Sequence, residues 1–384
     1  MVIRELRAEL WRNLEPLKLE PGEGLTVLFG DNGQGKTNLI EAIYFLASLR
    51  SFRTSRAREL VRAGRDPGDE RPARLAGRIE SGGLVREVEV EVGEGGRTAT
   101  LDGKPVRGAA AIFGALSVVL FVPEDLLFAR AAPAVRRRYL DLAVFNVDRG
   151  FYKEASAFQR VLKSRNALLR AGRFTPALLE TYDEELARCG APVVLRRRAM
   201  VAALAPRMNA LFGALHGSIP VSLRYRSDAR VEAAVDEAAV RAALLEGMQR
   251  QREVDVRRRF TGFGPHTDDV EIGLGDRPAR EHASQGQLRS LVLALKLAEL
   301  GNVAERRGDA PVLLLDDVPS ELDPKRRRFL FEMIGSLSCQ TLISVADRGL
   351  VPALANRRDF EIRAGRAEAV AVAATGTTST GMPS

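Results

Sequence analysis

Residues able to hold nucleotide phosphates lie near the amino terminus. Gly30-Asp31-Asn32-Gly33-Gln34-Gly35-Lys36-Thr37 has the spacing G-x-x-x-x-G-K-S/T, between the hydrophobic run Leu25–Phe29, a predicted strand, and Asn38–Leu49, a predicted helix. There the backbone N–H groups would surround the phosphates, Lys36 would reach the β- and γ-phosphates, and Thr37 would ligate Mg²⁺. The alternative is a glycine-rich turn that reflects composition alone. The flanking strand and helix favour a site for ATP and Mg²⁺, formed by residues 30–37 with Asn38.

A pair of carboxylates follows a second hydrophobic run. Pro311–Asp317 (PVLLLDD) predicts a buried strand that delivers Asp316 and Asp317 at its carboxyl end, where α/β proteins bind ligands. Asp316 would hold Mg²⁺, directly or through water, and Asp317 would orient or deprotonate the attacking water. The alternative is a helix N-cap cluster with Pro319 in the first turn. The glycine-rich motif favours the catalytic interpretation, in which Lys36 and Asp317 are the catalytic residues.

A third segment, Ser284-Gln285-Gly286-Gln287, opens an apolar helical pattern that continues to Leu300. A hydroxyl, side-chain amides and bare backbone amides at a helix N-terminus can bind an anion, although Ser is also an ordinary N-cap residue. Its place between the glycine-rich motif and the carboxylate strand resembles the signature motif of ABC-type ATPases. That resemblance implies that these four residues contact the γ-phosphate bound by the opposite subunit.

Composition fits a globular protein with a phosphate-containing partner. The 384 residues are 45% hydrophobic, and 58 Lys and Arg against 50 Asp and Glu give a net charge of +8. This excess suits nucleic acid, but it could equally reflect the composition of the source. Cys189 and Cys339 form no metal-binding spacing, the first ten residues carry charges unlike a signal peptide, and no apolar run approaches the ~18 residues that cross a bilayer. We expect a cytoplasmic protein with no membrane partner.

The pattern along the chain predicts an α/β fold with a second, mostly helical domain and no long coiled coil, because no heptads are sustained. The ATPase domain would comprise residues 1–123 and 256–366, the helical domain 124–255, and a disordered tail 367–384. Pro192 and Pro206 are expected to break or kink the helical stretch 176–216.

Eight stretches, in chain order, resemble the RecF family of recombination-repair ATPases, which is related to SMC heads. They are LWRNL (10–14), GDNGQGKTNLIEAIYFL (30–46), LRSFR (49–53), LFVPEDL (120–126), RRRYLD (136–141), GPHTDD (264–269), ASQGQLRSLVLALKLAEL (283–300) and LLLDDVPSELD (313–323). The resemblance implies an ABC/SMC-type ATPase head that dimerises on ATP and binds double-stranded DNA and gap junctions. It also implies action with RecR and RecO to help load RecA.

Two departures from these families stand out. ABC-type enzymes usually carry a His after the strand that follows the carboxylate strand, whereas this chain reads TLISVADRG with Ser344 and Asp347. Hydrolysis is therefore expected to be slow or assisted by another group. The family's usual Phe in the N-terminal motif is Trp11 here.

The residues that contact DNA are not identified by any motif. Arg50, Arg53 and Arg56 are candidates for DNA or a γ-phosphate, with a solvated basic face as the alternative. The runs Arg136–Arg138 and Arg196–Arg198 could contact phosphates, although such runs are usually solvated. His266 is expected to be structural.

The function predicted from these patterns is a weak, DNA-stimulated ATPase of recombinational repair. ATP would close a dimer on DNA and hydrolysis would open it. The alternatives are a transporter ATPase subunit, which the basic charge and the SQGQ sequence disfavour, and a nucleotide-gated adaptor with negligible hydrolysis.

Overall fold

The computed structural model of the chain describes residues 1–63, 69–106, 112, 115–217, 219–354 and 356–372. In chain order the strands are β1 (Val2–Glu9), β2 (Leu17–Leu19), β3 (Leu25–Phe29), β4 (Ala73–Ser81), β5 (Leu84–Gly93), β6 (Gly96–Leu101), β7 (Lys104–Pro105), β8 (Val118–Phe121), β9 (Val221–Arg226), β10 (Asp269–Leu274), β11 (Arg277–Pro278), β12 (Val312–Asp316), β13 (Thr341–Val345), β14 (Arg358–Arg363) and β15 (Arg366–Val370). The helices are α1 (Lys36–Ser48), α2 (Pro133–Val147), α3 (Gly150–Ala171), α4 (Pro176–His216), α5 (Ala229–Ala233), α6 (Glu237–Arg258), α7 (Ala279–His282), α8 (Gln285–Arg307), α9 (Val318–Glu321) and α10 (Pro324–Ser336).

The chain forms two compact units. The first contains Met1–Pro123 and the described residues from Asp309 onward, and the second contains Glu124–Gly308. The second boundary differs from the predicted one, because residues 256–308 belong to the helical unit and not to the ATPase unit. The reason is local pairing: β10 is hydrogen-bonded to β9, and α8 packs against α4.

The first unit contains an antiparallel and a mixed sheet. The antiparallel sheet has the order β2-β1-β4-β5-β6-β7, and its central strands alternate buried and exposed residues, as expected for a sheet with one face on a core. The mixed sheet has the order β15-β14-β3-β13-β12-β8, with β15 the antiparallel member. Helix α1 contacts strands of both sheets, so its buried residues join the two layers.

The parallel part of the mixed sheet determines where chemistry can occur. Strand β13 lies between β3 and β12, with Val345 opposite Phe29 and Ser344 opposite Asp316. The carboxyl ends of these three strands therefore meet at one edge of the sheet. Ligands of α/β proteins bind at such an edge.

The second unit is built around helix α4, which packs against α3, α6, α8 and the small sheet β11-β10-β9. The helix runs without interruption over 41 residues, so a break at Pro192 or Pro206 is wrong, and a kink at either proline stays a prediction. Each proline removes one hydrogen bond and costs about 3 kcal/mol in a helix interior. Burial of apolar side chains on both sides of each proline offsets that cost.

The carboxyl-terminal region also differs from the prediction at its start. Residues 367–370 belong to β15, which pairs with β14 from Asp359 to Arg363, so the predicted tail does not begin at 367. Residues 373–384 of that tail lie outside the described residues. Among the residues that are described, no helix is both long and apolar enough to cross a membrane.

A buried ionic cluster joins three segments of the second unit. Arg165 of α3 is fully buried and donates to Asp183 at 2.8 Å, Asp255 at 2.8 Å and the Thr261 hydroxyl at 2.9 Å. Burial raises the pKa of Asp255, although the Arg165 guanidinium acts in the opposite direction. Arg165 thus compensates the buried Asp255 and shares the buried Asp183 with Arg252, whose Nη2 is 2.9 Å from Asp183 Oδ2.

We expect Arg165→Ala to lower the stability of the second unit by about 3–5 kcal/mol, because removing one partner leaves buried charge uncompensated. Urea unfolding is followed by helical circular dichroism and by the fluorescence of Trp11, the single tryptophan, which lies in the first unit. The dichroism midpoint should fall by more than the fluorescence midpoint. Arg160→Ala, on the exposed face of the same helix, is the control and should shift neither midpoint appreciably; equal shifts for the two variants would contradict this assignment.

Candidate nucleotide-binding site

The glycine-rich loop after β3 has a backbone that only glycine adopts readily. Gly30 has φ +142° and Gly35 has φ +119°. A Cβ atom added to Gly30 would lie 2.4 Å from the Ile362 carbonyl oxygen, and one added to Gly35 would lie 2.9 Å from Leu14 Cδ2. Conformation therefore requires glycine at both positions, and the Ile362 backbone also leaves no space for a side chain at Gly30. The predicted loop between strand and helix is present, and its constrained backbone favours the phosphate-binding interpretation, which stays a prediction.

Lys36 begins helix α1 and lies over the loop. Its Nζ donates to the carbonyl oxygens of Gly30 at 2.6 Å and Asp31 at 2.8 Å. Burial lowers the pKa of Lys36, although the carboxylates of Asp317 and Asp316 act in the opposite direction. The preceding Gly35 has no side chain to cap the helix, which leaves the first N–H groups of α1 for an anion.

Thr37 and Asp316 meet across the sheet edge. The Thr37 hydroxyl donates to Asp316 Oδ1 at 2.9 Å, and the Ser344 hydroxyl donates to the same oxygen at 2.5 Å. Burial raises the pKa of Asp316, while these two hydrogen bonds act in the opposite direction. A hydroxyl and one carboxylate suit Mg²⁺, which takes oxygen ligands and completes its shell with phosphates and water. The residues present therefore fit the predicted ion.

Asp317 has a backbone conformation that is uncommon for a residue with a side chain. Its φ is +53°, and its N–H is 3.0 Å from both the carbonyl oxygen and the hydroxyl of Ser344. The Asp317 carboxylate accepts a hydrogen bond from the Ser320 hydroxyl at 2.6 Å and accepts none from the backbone of α9. The alternative in which Asp317 caps that helix is thus not supported by its contacts. Ser344 therefore forms hydrogen bonds with both aspartates: it donates to the Asp316 carboxylate and accepts from the Asp317 N–H.

Residues of the segment after β1 contact the glycine-rich loop and the helix that follows it. These contacts were not predicted from the sequence. Asn13 donates to the Gly33 carbonyl oxygen at 2.9 Å and accepts from Asn38 Nδ2 at 2.6 Å. Arg12 forms two hydrogen bonds, at 2.7 and 2.8 Å, with the fully buried carboxylate of Glu41 on α1. These residues belong to the LWRNL stretch, whose family resemblance was visible. Their contact with the loop depends on folding and has no signal in local spacing.

The turn between β14 and β15 also contacts the glycine-rich loop, and this contact was not predicted from the sequence. Gly365 donates its N–H to the Gln34 carbonyl oxygen at 2.9 Å, and Ala364 donates to Gln34 Oε1 at 2.6 Å. Gly365 has φ +77°, and a Cβ atom there would lie 2.2 Å from the Asn13 carbonyl oxygen. The carboxyl-terminal hairpin therefore holds the tip of the glycine-rich loop.

The glycine-rich loop, Asp317 and several arginines line one cavity, and Asp316 lies behind Thr37 and Ser344. Its lining includes Asn32, Gly33, Gly35, Lys36, Thr37, Asn38, Asp317, Ser344, Arg12, Arg53 and Arg62. The first eight were singled out from the sequence, whereas Arg12 and Arg62 were not singled out. The cavity combines cations with open amides beside two carboxylates, as a magnesium-bound polyphosphate requires.

The three arginines proposed as DNA or phosphate contacts lie in different environments. Arg53 lines the cavity and donates to Asn38 Oδ1 at 2.7 Å. Arg56 pairs with Glu59 at 3.2 Å, and Arg50 is exposed. Asp347, at the position of the expected histidine, is exposed and accepts a hydrogen bond from Gly349 N–H at 2.8 Å.

The signature segment lies at the N-terminus of α8 in the second unit. Ser284 is the N-cap: its hydroxyl accepts from Gln287 N–H, and the Gln287 side chain accepts from Ser284 N–H. Ser284 and Gln285 are exposed, and Gly286 is half-buried. The ordinary capping role is thus present, and contact with a nucleotide of another subunit stays a prediction.

Two of the basic runs are largely structural. Arg136 is buried and bound to both carboxylate oxygens of Asp269, and Arg197 is buried and bound to both carboxylate oxygens of Asp141. The hypothesis that these two arginines contact phosphates is therefore wrong, because their guanidinium groups are already engaged. His266, as expected, is structural: it is largely buried, its Nε2 lies 2.9 Å from the Thr261 carbonyl oxygen, and burial lowers its pKa.

Comparison with known proteins shows the family of this chain. The family described as RecF/RecN/SMC N terminal domain matches residues 2–358. "DNA replication and repair protein RecF" of Anaeromyxobacter sp. (strain K) is 45% identical over 373 residues, covering 95% of this chain and 98% of that protein. The protein of the same description from Myxococcus xanthus (strain DK1622) is 44% identical over 356 residues, covering 91% and 92%.

Solved structures of similar proteins have the same fold as this chain. The structure of the recombination mediator protein RecF-ATPrS in RecFOR pathway has a TM-score of 0.88 at 30% identity, covering 96% of this chain and 98% of that chain. The SmcHead bound to the C-winged helix domain of ScpA has a TM-score of 0.56 at 17% identity, covering 96% and 97%, which shows a shared fold. The α/β fold, with its mostly helical second unit, is thus that of an ABC/SMC-type ATPase head. With near-full-length relatives at this identity, the chain belongs to the RecF family.

Proposed function

We propose that this chain is an ATP-dependent DNA-binding protein of recombinational repair and replication-gap recovery. The observation that carries the proposal is the meeting of Lys36, Thr37, Asp316 and Asp317 at one sheet edge. Relatives at 44–45% identity are described as DNA replication and repair proteins, and a solved relative is described with ATP in the RecFOR pathway. These support a cytoplasmic ATPase that works with DNA, RecR and RecO.

The first step of the proposed mechanism is phosphate binding by residues of one subunit. The N–H groups at the start of α1 and the Lys36 ammonium bind the β- and γ-phosphates, which replace the carbonyl contacts that Lys36 makes here. Thr37 and Asp316 would hold Mg²⁺, which would neutralise phosphate charge. Ser344 keeps the Asp316 carboxylate oriented toward Thr37.

The second step is positioning of the attacking water. Asp317 orients the water and accepts its proton, and the Ser344 hydrogen bonds to its N–H hold the left-handed backbone that points this residue into the cavity. No histidine stands at the end of β13, so hydrolysis is slow in this proposal. Stimulation by DNA is a separate part of the proposal. Because hydrolysis is slow, the lifetime of bound ATP determines how long the protein stays on DNA.

The third step joins two subunits. Ser284–Gln287 at the exposed N-terminus of α8 contact the γ-phosphate held by the partner, so ATP closes a homodimer around DNA and hydrolysis releases it. The closed dimer supports RecA loading at gap junctions with RecR and RecO. The signature position in the ABC-type pattern and the exposure of Ser284 and Gln285 support this step.

Lys36→Ala tests the phosphate site. We expect ATP affinity to fall by about 10- to 100-fold, because charge-assisted hydrogen bonds worth about 1.5–3 kcal/mol are removed, and ATP-dependent dimerisation to be lost. Binding of a fluorescent ATP analogue and mass by light scattering measure the two effects. Lys18→Ala, which removes an exposed lysine paired with Glu20, is the control and should behave as wild type.

Ser284→Arg and Asp317→Asn should fail in different ways. Ser284→Arg should bind ATP with its own intact loop but stay monomeric, because the bulky side chain blocks closure on the partner's phosphate. Asp317→Asn should bind ATP and dimerise, while turnover falls by about 10²- to 10⁴-fold through loss of the proton acceptor, so the dimer persists on DNA. Light scattering and phosphate release distinguish the two, and dimerisation of Ser284→Arg at wild-type ATP concentrations would exclude the role in trans.

One assay separates the proposed function from its alternatives. ATP turnover is measured with and without duplex DNA, together with DNA binding. The proposal requires both DNA binding and slow, DNA-stimulated turnover. Turnover without DNA binding would favour a transporter subunit, and DNA binding without turnover would favour a nucleotide-gated adaptor.

A further inference from the structure

Helix α3 of the second unit has an unusually one-sided charge. Between Gly150 and Ala171 it contains five basic residues and one acidic residue, Glu154. One of the basic residues, Arg165, points inward to Asp183 and Asp255 and is fully buried. The other four define the basic face of α3: Lys153, Arg160, Lys163 and Arg170.

The basic face lies opposite the side of the helix that packs on the core. The buried residues of α3 include Phe151, Phe158, Leu162 and Leu169. The four cations follow one another at separations of seven, three and seven residues, which places them along one side of an α-helix. All four are exposed. Their aliphatic stems and charged groups therefore extend into solvent along the helix.

The charge of this face is not compensated nearby. In the described part of the chain, none of the four cations forms an ion pair with a carboxylate. Neighbouring arginines of α4 do pair, Arg188 with Glu185 at 2.6 Å and Arg196 with Glu154 at 3.4 Å. Glu154, the only acidic residue of α3, pairs with Arg196 and not with the four cations of the basic face.

The dimensions and chemistry of this face suit a phosphate backbone. From Lys153 to Arg170 the helix rises about 25 Å, close to the length of seven base pairs of duplex DNA, at about 1.5 Å per residue and 3.4 Å per base pair. No large hydrophobic side chain of α3 is among the exposed ones described. A protein partner would need an apolar centre to its interface, and a membrane would need inserted apolar side chains, so both fit less well.

We propose that the basic face of α3 is a track for the phosphate backbone of duplex DNA. This proposal rests on the proposed DNA-binding function and locates part of that binding on the second unit. The nucleotide cavity is formed by residues of the first unit, so the track and the ATP ligands are different residues. Contacts by flexible Lys and Arg side chains with phosphates carry no sequence preference.

The test compares two variants that lose the same net charge. The track variant is K153Q/R160Q/K163Q/R170Q. The control variant is K18Q/R71Q/R74Q/R86Q, in which each changed cation is exposed and paired with a carboxylate of the first unit. Fluorescence anisotropy with two 30-base-pair duplexes of unrelated sequence gives the affinity over a series of KCl concentrations. Circular dichroism and binding of a fluorescent ATP analogue check that both variants fold and retain the nucleotide site.

The expected result is a change in salt dependence that only the track variant shows. Each lost phosphate contact should reduce the slope of log affinity against log salt by about 0.9, so four contacts reduce it by about 3 to 4. At low salt the affinity of the track variant should fall at least about tenfold for both duplexes. The control variant should keep the wild-type slope, and both variants should bind the ATP analogue as wild type does.

Three outcomes would overturn the track. The first is an unchanged salt slope in the track variant. The second is an equal loss of affinity in both variants, which would mean that net charge alone matters. The third is unchanged duplex binding with weakened binding of polyglutamate, which would identify a surface for an acidic protein. Failure of the wild-type protein to bind either duplex would instead overturn the proposed DNA-binding function. The two failures are thus distinguishable.

Discussion

The Asp316 carboxylate is the point on which the arrangement of the nucleotide site depends. It accepts hydrogen bonds from Thr37 and from Ser344, and so ties together the helix after β3 and the ends of β12 and β13. The register of the parallel strands brings the Asp316 carboxylate and the Ser344 hydroxyl to the same level, because the two residues are directly opposite each other. A shift of one residue in either strand would put the Asp316 carboxylate and the Ser344 hydroxyl on opposite faces of the sheet.

Conformational constraint extends from this carboxylate to the residues around it. Ser344 also receives the N–H of Asp317 and thereby stabilises a left-handed backbone that ordinarily costs about 1 kcal/mol or more for a residue with a side chain. On the other side of the cavity, Gly30 fits against the Ile362 carbonyl oxygen only because it has no Cβ atom. The site is therefore held by the sheet and by the loop jointly, which favours a fixed geometry before nucleotide arrives.

The sequence predicted the parts of the site that local spacing encodes. The run from Gly30 to Thr37 and the pair Asp316 and Asp317 each lie within a few residues of a recognisable strand. The fold class followed from the pattern along the whole chain and from the family resemblance. Asn13, Gln34 with Gly365, and Arg12 with Glu41 could not be predicted, because each contact joins segments that only the tertiary structure brings together. For the same reason the structural role of Arg197 could not be predicted, because its partner Asp141 is 56 residues away in sequence. Helix α4 also continues through Pro192 and Pro206, because packing on its neighbours outweighs the local preference for an interruption.

The pairing of distant segments around β3 has a consequence for synthesis on the ribosome. Strand β3 is flanked by β13 and β14, and the loop after it is fastened to Ala364, 330 residues later in the chain than Gln34. At about 5–20 residues per second, roughly 20 to 60 s separate the translation of the two contacting segments. The helical unit, whose core comes from a continuous stretch, can fold in that interval. The nascent ATPase half must wait with β3 unpaired, so the ability to bind nucleotide is acquired among the last events of biogenesis.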